Sequence, residues 1–285
     1  MGRTLALASL ILLFLSVAPL YGRELRVCAD PNNMPFSNDQ GQGFENKIAE
    51  LIAADLGAEV KYTWWAQRRG FVRNTLKSGD CDLWPGVISG FELLATSQPY
   101  YRSSYVFVTR QDRRLDIASF DDPRLRQLTI GVQMVGNDAM NTPPAHALAR
   151  RGILENVRGF MLYGDYSRPD PAAAIVNAVS DGKVDVAVVW GPLAGYFGDR
   201  ATHKLRLTPV SSPMDGPQWP MVFDIAMGFR RDEPALKALI DRALARNHRA
   251  IDAVLASYHV PTWHAPRASV QPEASEAPRV AAHAD

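Results

Sequence analysis

Predicted strands and helices alternate regularly along residues 25–86, and this alternation limits the fold more than any other feature. Leu25–Ala29 is predicted to form a strand, and apolar residues at helical spacing predict a helix over Phe44–Leu56. A strand is predicted at Glu59–Trp64, a short helix at Phe71–Gly79 and a third strand at Cys81–Trp84. Such an order requires crossover connections and a largely parallel sheet, so the sequence predicts an α/β fold.

A second set of alternating elements follows the first. Strands are predicted at Leu128–Val132, Val157–Leu162 and Val184–Trp190. The helices between them are predicted to run from Thr142 to Gly152 and over Ala172–Ser180. The chain therefore contains two α/β units.

Two further strands lie where the chain would cross from one unit to the other. They are Tyr105–Thr109 and Val222–Met227. We predict a first domain made of residues 23–107 and 224–260, and a second domain made of residues 108–223. Two crossing strands are expected to act as a hinge.

Both ends of the chain differ in composition from the two units. Residues 1–22 carry a basic Arg3 and the apolar run Leu5–Val17, which predicts a cleaved signal peptide and export to the periplasm. An uncleaved anchor is the alternative, although the apolar run is short for a membrane span. Residues 261–285 are rich in Pro, Ala and Ser, and we predict a disordered tail there.

Charge and cysteine content exclude several classes of protein. The net charge of +1 lacks the basic excess that is typical of nucleic-acid-binding proteins. Cys28 and Cys81 are the only cysteines, and in an oxidising compartment we expect them to pair; two buried thiols are the alternative. The six histidines lack the spacing of metal ligands, and no Gly-rich phosphate loop is present. No metal and no cofactor are therefore predicted.

Several short motifs, in order, resemble those of periplasmic solute-binding proteins of the amino-acid-binding type. They are Leu25–Val27 with the Asp30–Phe36 loop that follows, Gly43–Asn46, Gly79–Leu83, Gln98–Tyr101, Ile130–Gln133 and Gly182–Val189. The resemblance implies two α/β domains with a solute cleft between them. Ligands in such folds bind beyond the carboxyl ends of the strands, which places the Asp30–Phe36 loop at the lip of the cleft.

A narrower resemblance covers three longer stretches. Val27–Asn38, Tyr62–Leu76 and Pro99–Phe107 are similar to the J-type accessory proteins of methanol dehydrogenase systems. That resemblance implies a periplasmic protein that helps to mature or activate a PQQ-dependent dehydrogenase. It also implies the methanol dehydrogenase as the partner, with its cytochrome c as a further candidate.

The charged anchors of an amino-acid site are missing from the matching positions. Where the resemblance places an arginine for the substrate carboxylate, Leu93 follows Glu92. Where it places an aspartate for the substrate ammonium, Trp190 precedes Gly191. A zwitterion would lose its hydration there without compensation, so a free amino acid is not the expected ligand.

Residues at the predicted cleft form the first group of site candidates. Asn32 and Asn33 either contact a ligand or only cap the turn, and Trp84 either closes the cleft or fills the core. The complete set of cleft candidates is Asp30, Asn32, Asn33, Phe36, Trp84, Ser89, Gln133, Asn137, Asp138 and Trp190.

A tryptophan–arginine cluster forms the second group. Trp64 and Trp65 are adjacent, and Arg68 and Arg69 follow directly. Side chains alternate along a strand, so we expect one ring to point inward and the other outward. An exposed Trp beside Arg has the composition of a binding hot spot. The alternative is a surface Trp stacked under its own Arg.

Three functions fit these observations. The leading hypothesis is a monomeric, non-enzymatic accessory protein that binds the dehydrogenase. The alternative is the substrate-binding receptor of an ABC-type importer for a neutral small molecule. An enzyme on the same scaffold ranks last, because Asp30 and Asp138 are its only candidate acid–base groups and isolated carboxylates are usually structural.

Overall fold

The computed structural model describes residues 23–135, 141–161 and 166–263. Its strands are β1 Arg23–Ala29, β2 Asn32–Asn33, β3 Ser37–Asn38, β4 Ala58–Trp64, β5 Trp84–Ile88, β6 Ala95–Thr96, β7 Tyr101–Arg110, β8 Ile130–Met134, β9 Val157–Met161, β10 Val186–Trp190, β11 Leu205–Pro209, β12 Met214–Asp215, β13 Trp219–Pro220 and β14 Val222–Phe229. Its helices are α1 Phe44–Asp55, α2 Phe71–Asn74, α3 Pro143–Arg150, α4 Ala174–Ser180, α5 Gly191–Asp199 and α6 Pro234–Ser257, with 3₁₀ turns at Gln111–Arg113, Pro123–Arg126 and Pro171–Ala173.

The first unit is built on β1, α1 and β4. The two strands pair in parallel, with Val27 opposite Tyr62, and α1 makes the crossover between them. Phe44, Ile48 and Ile52 of the helix are fully buried against the strands. The predicted helical face is therefore confirmed, because apolar residues at a spacing of three to four positions form one stripe that can be buried.

The start of α1 is packed closely against the loop that follows β1. A methyl group on Gly43 would lie 2.0 Å from the carbonyl oxygen of Phe36, so only glycine fits there. The amides of Phe44 and Glu45 donate to the carbonyls of Pro35 (2.8 Å) and Phe36 (2.9 Å). These contacts fix the first turn of the helix, and with it the side chain of Glu45, beside the Asp30–Phe36 loop.

Strand β7 belongs to both units. Its first half pairs with β14, with Tyr101 opposite Ile225, and its second half pairs with β10, with Tyr105 opposite Trp190. The resulting eight-stranded sheet has the order β5-β14-β7-β10-β8-β9, with β6 on β14 and β11 on β7. The prediction of an α/β fold with crossing strands is confirmed, and it is the long β7 that carries the sheet from one unit into the other.

The third predicted strand differs from the observed one. Residues 81–84 were expected to form it, whereas β5 begins at Trp84 and contains Pro85 and Gly86. Before β5, Leu83 makes a single parallel bridge to Val27, and its carbonyl accepts from the amide of Cys28 at 2.8 Å. β5 itself pairs antiparallel with β14 and is the terminal strand of the eight-stranded sheet. Pro85 is tolerated because β5 is the edge strand.

Other differences concern short elements. The second predicted helix is reduced to the four residues of α2, and α5 and β11 had no clear signal in the sequence. The terminal helix is one continuous element, Pro234–Ser257, with Ile240 and Ala243 fully buried.

No helix in the described ranges combines the length and hydropathy that a bilayer span requires. Residues 1–22, the predicted signal peptide, lie outside those ranges.

Three residues of the predicted tail are attached to β7. Thr262 bridges Ser103, the Ser103 hydroxyl donates to the Pro261 carbonyl (2.6 Å), and the Trp263 amide donates to the Arg102 carbonyl (2.8 Å). The tail as predicted from residue 261 therefore begins too early, because backbone pairing continues through residue 263. The remaining tail, from His264, lies outside the described residues.

Cys28 and Cys81 form a disulfide, as the sequence predicted. Their Cα atoms are 5.5 Å apart, and the bond closes a loop of 53 residues. Both residues are fully buried beside Phe71 and Leu76, so the bond links β1 to the segment that leads into β5.

We expect intact mass measurement of the exported protein to detect this bond. After denaturation without reductant, an alkylating reagent should add no mass, whereas prior reduction should allow two additions. Replacing both cysteines with alanine should lower the free energy of unfolding by on the order of 4 kcal/mol, the loop-closure value for this length. Two alkylated thiols in the unreduced sample would contradict the assignment.

Candidate functional site

A cavity of about 590 Å³ lies between the two units. The loop after β1, the start of α1 and β5 line it from the first unit, and the ends of β8 and β10 line it from the second. Eight of its lining residues are aromatic. A cavity of this size and composition matches those that bind small organic molecules or protein side chains.

Asp30 lies at the lip of this cavity and is only 2 % exposed. Its carboxylate accepts hydrogen bonds from the amides of Asn32 (2.8 Å) and Gln67 (2.6 Å). The Tyr166 hydroxyl, from the second unit, also donates to it. Asp30 therefore holds the loop in shape and joins the two sides of the cleft.

Two more contacts cross the cleft beside Asp30. The Asn32 side-chain amide donates to the Arg168 carbonyl at 2.9 Å, and the Arg68 guanidinium lies 5.1 Å from the centre of the Tyr166 ring. Burial raises the pKa of the Tyr166 hydroxyl, and the hydrogen bond to Asp30 adds to the rise. Tyr166 thus stays a neutral donor, and the described structure has the cleft bridged on this side.

A cluster of three rings lies where β7 passes from one unit to the other. Trp190 packs edge-on against Tyr105 (5.5 Å between centroids) and Phe223 (5.7 Å), and all three line the cavity. Trp190 is the last residue of β10 and directly precedes α5. The position at which the amino-acid-binding pattern has a carboxylate is therefore occupied by an indole.

Glu45 is a buried cavity residue that the sequence analysis missed. It lines the cavity and is 6 % exposed. Its carboxyl lies so close to Gly86 that a methyl group added to Gly86 would be 2.0 Å from Glu45 Oε1. Within the described ranges, no hydrogen bond or ion pair to this carboxyl is found. Burial raises the pKa of Glu45 to about 8, and the charge of Asp30 adds to the shift. An acidic residue next to Phe44 on a buried helical face was the available signal.

Gln133 is a second buried polar residue with an unused group. It is 3 % exposed at the end of β8, lines the cavity, and its Oε1 has no hydrogen-bond partner. The Thr142 hydroxyl donates to the Gln133 backbone carbonyl at 2.7 Å, which ties β8 to the start of α3. Buried acceptors are nearly always paired in proteins, so an unpaired one that faces a cavity indicates a place for a ligand donor.

The remaining cleft candidates separate into three groups. Phe36, Asn33 and Trp84 line the cavity. Asn33 also donates to Gln67 Oε1 (2.8 Å), and Trp84 packs on Phe71 (5.0 Å), so each combines a structural contact with a place in the lining. Ser89 lies outside the cavity lining on the turn after β5, where its amide donates to the Asp224 carbonyl (2.8 Å). Asn137 and Asp138 lie outside the described residues.

The tryptophan–arginine cluster lies at the end of β4, beside the same lip. Trp64 is half-buried and stacks on Tyr62 (4.5 Å), while Trp65 is 43 % exposed. One ring is therefore packed and the other faces solvent. Arg68 and Arg69 are exposed, and Arg68 lies over Tyr166 rather than over a tryptophan.

Comparison with known proteins identifies the family. Residues 25–259 match the model of bacterial extracellular solute-binding proteins, family 3. The chain belongs to this family. It is 38 % identical over 250 residues to Protein MoxJ of Methylorubrum extorquens, an alignment that covers 83 % of this chain and 81 % of MoxJ.

Two solved structures of similar proteins align over most of the chain. MxaJ from Methlophaga aminisulfidivorans MPT has a TM-score of 0.73 at 28 % identity, covering 84 % of this chain and all of MxaJ. The periplasmic binding protein XoxJ from Methylobacterium extorquens AM1 has a TM-score of 0.69 at 34 % identity, covering 84 % of this chain and 99 % of XoxJ. The resemblance to J-type proteins drawn from the sequence is therefore confirmed.

Replacing Glu45 with glutamine should make stability less dependent on pH. Folded Glu45 keeps its proton up to about pH 8, whereas the unfolded chain releases it near 4.5. Between these values the folded state binds more protons, so the protein loses stability as pH rises. We expect Glu45→Gln to melt at a higher temperature than the wild type at pH 8.5 and at a similar temperature at pH 4.5. Glu50→Gln, on the exposed side of the same helix, is the control; an equal effect at both pH values would contradict the assignment.

Replacing Tyr166 with phenylalanine should weaken the bridge across the cleft. The variant loses a hydrogen bond to a carboxylate, and such bonds contribute about 1.5–3 kcal/mol. We expect the free energy of unfolding to fall by about 1.5 kcal/mol, since Asp30 keeps its two backbone donors. Chemical denaturation measures the change. Tyr196→Phe is the control, because no hydrogen bond from its hydroxyl to a described residue is found; equal stability of Tyr166→Phe and wild type would refute the bridge.

Proposed function

We propose that this protein is a periplasmic, non-catalytic accessory protein that binds a PQQ-dependent methanol dehydrogenase and supports its maturation or activation. The observation that carries the proposal is the similarity to MoxJ, MxaJ and XoxJ over more than four fifths of the chain. The resemblance to J-type accessory proteins implies the dehydrogenase as partner, with its cytochrome c as a possible second one.

The chemistry of the cleft supports this proposal over amino-acid import. None of the described residues that line the cavity is Lys, Arg or His, so the cavity has no cation to pair with a substrate carboxylate. Leu93, where the resemblance places that arginine, is 54 % exposed and lies outside the lining. An amino acid would enter this cavity with its carboxylate unpaired, at a cost of several kcal/mol.

Asp30 is explained by its structural contacts. Its carboxylate accepts three hydrogen bonds, from Asn32, Gln67 and Tyr166, and two of these donors are backbone amides. A general base needs a free lone pair directed at a substrate proton. A structural role for Asp30 therefore accords with a binding protein rather than an enzyme.

The exposed Trp65 supplies the candidate anchor for the dehydrogenase. Large exposed apolar side chains next to arginines are typical of hot spots, and Trp65 lies with Arg68 and Arg69 beside the bridged lip of the cleft. We propose this Trp65–Arg69 surface as the docking site.

Receptor function for a neutral solute remains the second candidate, and the well-formed cavity favours it.

We expect Trp65→Ala/Arg69→Ala to bind the dehydrogenase at least about 10-fold more weakly than the wild type, because loss of a hot spot costs about 2 kcal/mol or more. Its melting temperature should stay near that of the wild type, since both side chains face solvent. Surface plasmon resonance with immobilised apo-dehydrogenase and mature dehydrogenase measures the affinity.

Leu154→Ala/Arg158→Ala is the matched control, because it removes an exposed apolar residue and an exposed arginine from the second unit. Its affinity should equal that of the wild type. Equal binding by wild type and Trp65→Ala/Arg69→Ala would reject the docking surface. Absence of wild-type binding to both forms of the dehydrogenase would reject the proposed function.

A further inference from the structure

Two buried acceptors face the cavity without a donor. The Glu45 carboxyl is 6 % exposed and the Gln133 side chain 3 % exposed, and they line the cavity from different units. Gln133 Oε1 has no hydrogen-bond partner among the described residues. No hydrogen bond from a described residue to the Glu45 carboxyl is found either. Leaving such groups unpaired costs free energy that a ligand with N–H donors would recover.

The charged groups in the cavity lining determine whether the cavity favours a cation or an anion. Asp30 and Glu45 are the only ionisable acids or bases other than tyrosine among the described lining residues. The sequence of the two internal gaps, residues 136–140 and 162–165, contains no Lys, Arg or His. The Arg68 guanidinium lies over Tyr166 and is outside the lining. An anion would meet two acidic groups and no cation, whereas a cation would be attracted.

The rings of the cavity provide the second component of a cation site. Phe36 and Tyr101 lie on the Glu45 side, and Trp190, Tyr105 and Phe223 form the cluster where β7 crosses. Aromatic faces attract organic cations through their quadrupoles, and desolvated sites strengthen the effect. The same rings can pack against an apolar or aromatic group that is attached to the cationic nitrogen.

We propose that the cleft binds an organic cation that carries no carboxylate, specifically an ammonium group attached to an aromatic or bulky apolar body. The charged nitrogen faces Glu45, and the body lies among the rings. This binding function goes beyond the proposed docking of the dehydrogenase and does not rest on it.

Binding of such a cation is linked to release of a proton. The titratable groups that interact electrostatically with Glu45 are Asp30 on the loop, Tyr62 on β4, Tyr100 just before β7 and Tyr101 at the start of β7. Asp30 disfavours a second negative charge, and burial raises the pKa of each of these tyrosines, which keeps them neutral. Glu45 therefore loses its proton when a positive ligand arrives, so the observed affinity rises with pH up to the pKa of about 8.

Isothermal titration calorimetry with three matched probes tests the proposal on the full mature chain. The probes are 2-phenylethylammonium, its neutral analogue 2-phenylethanol, and L-phenylalanine, which is the same amine with a carboxylate added. We expect 2-phenylethylammonium to bind at least about 10-fold more tightly than either of the others at pH 7.5. Its affinity should rise about 100-fold between pH 5.5 and pH 7.5, because one proton must leave Glu45. Titrations in buffers of different ionisation enthalpy should show that about one proton is released for each ligand bound.

Glu45→Gln should bind 2-phenylethylammonium weakly and without this pH dependence, while Glu50→Gln should behave like the wild type. The melting temperature of each variant shows that it is folded. Tighter binding of L-phenylalanine or 2-phenylethanol, pH-independent binding of the ammonium ion, or no binding of it at millimolar concentration would overturn the proposal. The dehydrogenase affinity is measured separately, so failure here leaves the docking result intact and the two failures are distinguishable.

Discussion

The backbone pairing of one strand, β7, joins the two halves of this protein. Its ten residues, Tyr101–Arg110, pair first with β14 and then with β10, so one continuous set of hydrogen bonds runs from the first unit into the second. The change of partner falls between Tyr101 and Tyr105, both of which line the cavity. The cavity therefore lies at the point where β7 passes between units, and side chains from both units converge there.

The opposite side of the cleft is joined by side chains rather than by backbone. Tyr166 donates to Asp30, Asn32 donates to the Arg168 carbonyl, and Arg68 covers the Tyr166 ring. These contacts are few and individually worth about one to three kcal/mol, so a ligand or a partner could change them more easily than it could change the backbone pairing of β7. The candidate docking residue Trp65 is only three positions from Arg68, so the proposed docking surface and the cleft bridge lie in one region.

The cavity lies between the two units, as a solute site does, but the ionisable groups of its lining differ from those of an amino-acid site. The resemblance to amino-acid-binding proteins places a carboxylate where this chain has Trp190, and the described lining contains no basic side chain. The acidic groups of the lining are Asp30, whose carboxylate accepts three hydrogen bonds, and Glu45, which keeps its proton up to about pH 8 and accepts no hydrogen bond from the described residues. The two proposals follow from this separation: the exposed Trp65–Arg69 surface serves the protein partner, and the interior, with its acidic group and aromatic walls, serves a cation.

The sequence by itself determined the class of fold and the pairing of Cys28 with Cys81. Apolar periodicity fixed α1 and the strands around it, because period and burial are linked within a single element. It could not determine the extent of β5 or the role of Glu45. Pro85 and Gly86 are turn residues by local preference, yet the edge of a mixed sheet accepts them because only one side must be paired. Glu45 resembles any helical glutamate until tertiary packing buries it beside Asp30, Gly86 and Tyr101. Its charge state depends on lost hydration and on the charge of Asp30, and only the folded structure brings these together.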